Sequence, residues 1–160
     1  MYKKLFIPGP TDVAPEVLEK MATPMIGHRT KEATALQKGI SEKLQKLMYT
    51  DDTILLSTSS GTGLMEGAIR CCTRKKAAVF SVGAFGDRWY DLAKQNNVPA
   101  AIFKSEPGKP TTPEMVDEVL KTGEYDVVTV THNETSSGIV NPCAEIGEVI
   151  RKYPGVLYLV

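Results

Sequence analysis

The stretch TILLSTSSGTGLMEGAI, Thr53 to Ile69, carries an apolar run, a turn of small residues and an amphipathic segment in immediate succession. Thr53–Ser57 reads as a short buried strand, and Leu64, Met65, Ala68, Ile69 and Cys72 fall on one face of a helix. A Ser59–Gly63 turn that opens a helix leaves backbone N–H groups unpaired at the positive helix end, which is a seat for an anionic phosphate. Ser and Thr are also ordinary helix caps, so this turn taken alone fits capping as well as anion binding.

Outward from that turn, the pattern alternates. Further strands are predicted at 77–82, 100–103, 126–131 and 156–160, and helices at 62–73, 85–96, 113–121 and 144–153. Pro113 after Thr111-Thr112 makes a helix entry, with a hydroxyl cap before a first-turn proline. Upstream, helices are expected at 15–22, with Pro15 in its first turn, and at 31–48, where Leu36, Ile40, Leu44, Leu47 and Met48 keep helical spacing. The strands are continuous apolar runs, as expected where helices cover both sheet faces. Strand–helix–strand repeats of this kind define an α/β fold with a mostly parallel sheet and helices on both faces. Ligands in such sheets sit beyond the carboxyl ends of the strands. The Ser59–Gly63 turn, the Gly83–Gly86 turn and the Thr131–Gly138 loop all follow predicted strands and so share that edge.

Bulk properties narrow the function. Nineteen Lys and Arg balance nineteen Asp and Glu over 160 residues, so no net field favours nucleic acid or an anionic membrane surface. No basic stripe is interleaved with aromatics. No apolar run approaches the ~20 residues of a membrane span, and no signal-peptide pattern opens the chain, which makes a cytoplasmic location the expectation. Cys71, Cys72 and Cys143 form neither a metal spacing nor a disulfide framework, and two histidines, His28 and His132, give no metal site. No G-x-G-x-x-G follows the first strand, which disfavours a dinucleotide-binding fold.

Five segments in order carry a further signal: PGPT (Pro8–Thr11), GHRTK (Gly27–Lys31), SSGTG (Ser59–Gly63), GAFGDRW (Gly83–Trp89) and THNETSSG (Thr131–Gly138). Together they resemble the class V, fold-type I pyridoxal-phosphate aminotransferases, most nearly the serine–pyruvate and alanine–glyoxylate branch. The resemblance runs from about Phe6 to Val160.

It implies a large domain of the fold-type I kind, with pyridoxal 5′-phosphate as cofactor. Ser60, Gly61 and Thr62 match the phosphate-binding turn, where glycine lets the backbone approach closely. Phe85 matches the ring stacked on the pyridine face, a position where many members carry Trp. A core role for Phe85 is the alternative, disfavoured because Gly83 and Gly86 bracket it in a turn. Trp89, one helical turn on, is assigned to packing. Thr135 matches the hydroxyl residue near the cofactor's phenolic oxygen. Glu134 is expected to support its loop, since a free carboxylate there would repel a substrate carboxylate, and His132 is open between a neighbour of the cofactor and a hydrogen-bonded residue behind the site. Gly9 resembles a backbone contact of the substrate-entrance loop. Arg29, in a segment near the active-site mouth and dimer interface, is open between a carboxylate clamp and an interface ion pair.

The same resemblance divides the chain into an N-terminal arm and entrance loop, 1–24, and the N-terminal part of the cofactor-binding large domain, 25–160. It places the pyridinium-pairing aspartate just beyond Val160 and the Schiff-base lysine further on. The chain is therefore expected to be a truncated enzyme with no catalytic residue of its own. The expected reaction of the whole enzyme passes an amino group from a small amino acid, alanine or serine, to a 2-oxo acid such as glyoxylate or pyruvate, in a homodimer. A cysteine desulfurase, a phosphonate transaminase and a non-catalytic phosphate-binding fragment are the alternatives.

Overall fold

The computed structural model describes residues 4–160. Among these, helices and strands follow in the order α1 (Pro15–Met21), α2 (Lys31–Met48), α3 (Gly61–Cys72), β1 (Ala77–Ser81), α4 (Ala84–Gln95), β2 (Ala100–Lys104), α5 (Pro113–Leu120), β3 (Val127–Thr129), β4 (Asn133–Glu134), β5 (Ile139–Val140), α6 (Cys143–Ile150) and β6 (Leu157–Leu159). The chain divides into two compact units, one up to Thr58 and one from Ser59 to Val160.

The second unit is built on a parallel sheet in the order β2-β1-β3-β6. Its central strand β1 pairs Ala77 with Ala100 on one side and with Val127 on the other. Every residue of β1 is buried, because helices lie against both faces. Side chains alternate across a strand. Ala77 and Val79 therefore pack with Ile69 of α3 and with Trp89 and Ala93 of α4. Ala78 and Phe80 meet Val116 and Leu120 of α5 and Ile146, Val149 and Ile150 of α6 on the opposite face. The apolar runs of the sequence thus become a two-sided core, as parallel sheets require.

The edge of the sheet at the amino ends of its strands is tied by one carboxylate. Asp126, just before β3, accepts the backbone N–H groups of Arg74 and Lys75 at 2.9 Å and of Lys76 at 3.1 Å. Burial pushes its pKa up, but these three donors prevail and hold it below the usual carboxylate value. The turn from α3 into β1 is fastened in this way to the start of β3.

One expected strand is absent. Residues 53–57 form no strand, and Leu55 is 85% exposed. The segment belongs to the first unit and has no neighbouring strand among the described residues there to complete a ladder. Its main chain is held by side chains of α2 instead: Gln45 donates to the Asp52 carbonyl at 2.9 Å, and Ser41 to that of Ile54 at 3.5 Å. An apolar run without a pairing partner stays extended but unladdered. The β4–β5 hairpin, in turn, is an element that the apolar pattern does not announce.

Candidate functional site

The site grows from the ends of the sheet in the second unit. The carboxyl ends of β3 and β6 and the amino ends of α3 and α4 bound a cavity of about 940 Å³. Ser60, Gly61, Thr62, Phe85, Arg88, Trp89, Thr131, His132, Leu159 and Val160 all line it.

Its polar wall is the start of α3. The N-cap Ser60 accepts the Gly63 N–H at 3.2 Å, which leaves the serine O–H as a donor. The first helical bond runs from Leu64 N to the Ser60 carbonyl, so the amides of Gly61 and Thr62 have no partner inside the helix. A Cβ on Gly61 would meet nothing within 4 Å, so the space beside its Cα is open. The first turn of α3 contains no acidic residue. Arg88 adds a cation by donating to Thr62 Oγ1 at 3.1 Å. Amides, hydroxyls, a helix dipole and a guanidinium therefore converge where no carboxylate opposes an anion.

The apolar wall is led by Phe85. The chain leaves β1 through Ser81 and turns into α4, and two glycines permit that turn. A Cβ on Gly86 would stand 2.6 Å from Ser81 Cα, and one on Gly83 would stand 2.6 Å from Glu134 Cγ. Phe85 is half-buried at the cavity wall with Arg88 Cζ 4.8 Å from its ring centroid. Trp89 is almost fully buried in the core against Ile69 and Val79, and it reaches the cavity as well.

Glu134 joins the two loops. Its carboxylate is 1% exposed and accepts from Phe85 N at 3.0 Å, Gly86 N at 3.1 Å, Ser136 N at 3.2 Å and Ser136 Oγ at 2.6 Å. Burial pushes its pKa up, but the Ser136 hydroxyl and the three amides outweigh this and hold it below the usual value. Ser136 Oγ also accepts from Ala84 N at 2.9 Å. The amino end of α4 is thereby neutralised, unlike that of α3. Thr135 sits at the exposed turn of this hairpin and is not among the cavity-lining residues. His132 lines the cavity, and Gly9 lies exposed in the first unit.

Two contributors escape a reading of the sequence. Asn141 is buried; it donates to the Thr131 carbonyl at 2.7 Å and accepts from Thr111 N at 2.8 Å, which sets the height of the Thr131–His132 segment. Arg88 is the other, because its partner Thr62 stands 26 residues away. The buried hydroxyl of Thr131 faces the cavity region without a partner among the described residues.

Fold and site together define a parallel α/β domain in which an anion seat faces an aromatic platform. The chain belongs to the aminotransferase class-V family, whose model matches residues 5–160. It is 44% identical, over 99% of its length, to an uncharacterized aminotransferase of Methanocaldococcus jannaschii, covering 42% of that protein. It is 29% identical to a serine–glyoxylate aminotransferase of Methylorubrum extorquens, over 97% of this chain and 40% of the other. An alanine–glyoxylate aminotransferase of Nostoc sp. superimposes with a TM-score of 0.86 at 24% identity, over 98% of this chain and 44% of that one. The fold is thus that of the fold-type I enzymes, and the chain spans about two fifths of the curated relatives it matches.

Enzymes of this family depend on pyridoxal phosphate. The donor set fits that group: amides without a partner inside the helix and donor hydroxyls suit its phosphate, and Phe85 offers an apolar face of ring size.

Proposed function

We propose that the whole protein is a pyridoxal-phosphate-dependent aminotransferase that moves an amino group from a small amino acid, of the alanine or serine type, to a 2-oxo acid such as glyoxylate. The observation that carries this reading is the meeting of the acid-free amino end of α3 with Phe85 and Arg88 in one cavity. The amides of Gly61 and Thr62 and the hydroxyls of Ser60 and Thr62 hold the phosphate, and the α3 dipole adds to their pull. Phe85 covers the ring face, where an offset stack adds about 0.5–1.5 kcal/mol beyond burial. Glu134 holds the α4 turn that carries Phe85 and the hairpin that carries Thr135, which is assigned to the phenolic oxygen. His132 lines the same cavity, and Gly9 is assigned to the substrate entrance.

Bound pyridoxal phosphate supplies the carrier for the amino group and the electron sink for its transfer. This chain's residues bind and orient it; the lysine and the aspartate that complete the chemistry are assigned to sequence beyond Val160. The glyoxylate acceptor is supported by the names of two similar enzymes, and a cytoplasmic homodimer accompanies the reading.

The test uses the full-length protein. Pyridoxal phosphate should bind with a visible absorption band, and alanine or serine together with glyoxylate should yield glycine. A protein that binds no pyridoxal phosphate, or that binds it and releases sulfur from cysteine instead of making glycine, overturns the assignment.

A further inference from the structure

Arg88 has no ion-pair partner among the described residues, although it stands on a helix whose neighbouring Asp87 is paired with Lys104 at 2.9 Å. Its guanidinium instead touches two cavity residues from different helices. One contact is the 3.1 Å donation to Thr62 Oγ1, and the other is the 4.8 Å seat over the Phe85 ring. An arginine is a donor only, whereas a threonine hydroxyl has one proton and two lone pairs. With Arg88 occupying a lone pair, the Thr62 proton must point elsewhere, and the cavity lies beside it.

We infer that Arg88 is a positioning residue of the phosphate seat, which turns the Thr62 hydroxyl into an obligate donor toward a bound phosphate while bracing the Phe85 platform. The inference rests on the cofactor reading above and deepens it. Arg88 acts through Thr62: with one lone pair taken by the guanidinium, the hydroxyl keeps its proton for a bound phosphate. The guanidinium matters most to the ring contact, since a lysine ammonium can donate to Thr62 but has no planar face to offer Phe85. This links α3 and α4 into one device whose two halves grip opposite ends of a single molecule.

The experiment compares two probes, pyridoxal phosphate and pyridoxal, by equilibrium dialysis against the full-length protein. Both carry the same ring and aldehyde, so their ratio reads the phosphate end alone. Arg88→Met should weaken pyridoxal phosphate roughly 10- to 100-fold, the loss expected for a charge-assisted hydrogen bond, and change pyridoxal less than about threefold. Arg88→Lys should recover part of the loss. Thr62→Val should lower phosphate affinity too, and the double variant should bind about as Thr62→Val does, because the two residues act as one.

Equal weakening of both probes by Arg88→Met marks a merely structural role and overturns the inference, as does unchanged binding of both. Additive losses in the double variant also overturn it, since Arg88 would then touch the phosphate independently. A wild-type protein that fails to prefer pyridoxal phosphate over pyridoxal removes the cofactor reading itself. A wild type that prefers it, with Arg88→Met indistinguishable, removes this inference alone.

Discussion

Glu134 is the residue on which the site's geometry turns. Four short hydrogen bonds converge on a carboxylate that is almost fully buried, and they come from both the α4 turn and the β4–β5 hairpin. Replacing it with Gln keeps the size but puts an amide nitrogen where an acceptor is needed. We expect Glu134→Gln to cost about 1–3 kcal/mol at neutral pH, read as a fall in urea midpoint. The pH dependence has a definite sign. The folded-state pKa lies below the ordinary value of 4.5, so the stabilisation is complete above that value and is lost as pH falls through the lower folded value. The wild-type advantage over Glu134→Gln should therefore shrink below about pH 4.5. A gap of constant size from pH 7 down to pH 3 would show that the carboxylate's charge is not what holds the loops. Glu134 also illustrates what one sequence can tell. Its place in THNETSSG marks it as a loop residue, but two of the three amides it accepts from lie 48 and 49 positions away, and only packing brings them within reach.

At the scale of the element, the two glycine-bearing turns carry opposite burdens. Gly86 is where α4 approaches β1, and an added methyl would press on the Ser81 backbone, which cannot swing aside. Gly86→Ala should therefore destabilise by about 1–3 kcal/mol, measured by chemical denaturation, as overpacking does. Gly61 faces open space, so Gly61→Ala should leave stability within about 0.5 kcal/mol in the same measurement. Equal effects at the two positions would mean that the α4–β1 approach is looser than the distances indicate. Most elements were legible beforehand. The pattern predicts helices at 31–48 and 113–121, against the observed Lys31–Met48 and Pro113–Leu120, because amphipathic spacing and a proline entry are local signals. Residues 53–57 look equally strand-like and form no strand, since a strand is defined by its neighbour and none lies beside them in their unit. The two-residue strands of the hairpin fail for the converse reason: their pairing is local, but they are too short to carry a period.

Across the whole molecule, the fully buried side chains among the described residues lie in the second unit. Among the described residues up to Thr58 none is buried, and α1 and α2 have no buried side chain, whereas β1 and β3 are buried along their length. Local stability follows buried contacts and protected backbone hydrogen bonds. In the 160-residue chain, amides of β1 and β3 should exchange slowest and those of residues 4–58 fastest, as mass spectrometry after deuterium labelling would read. Comparable protection in both parts would refute this division.

What the amino-acid sequence determined by itself is the alternation of elements, the two-faced burial of the strands and the small-residue turns that serve the sheet's functional edge. Each follows from periodicity, capping or composition within a few consecutive residues. Only the tertiary structure decided that Arg88 meets Thr62, that Glu134 binds the α4 turn, that Asn141 sets the Thr131 loop and that residues 53–57 stay unpaired. These outcomes depend on the packing of α3 against α4 and on the order of strands in the sheet. Contacts between residues tens of positions apart are set by how elements pack, and no local pattern encodes that.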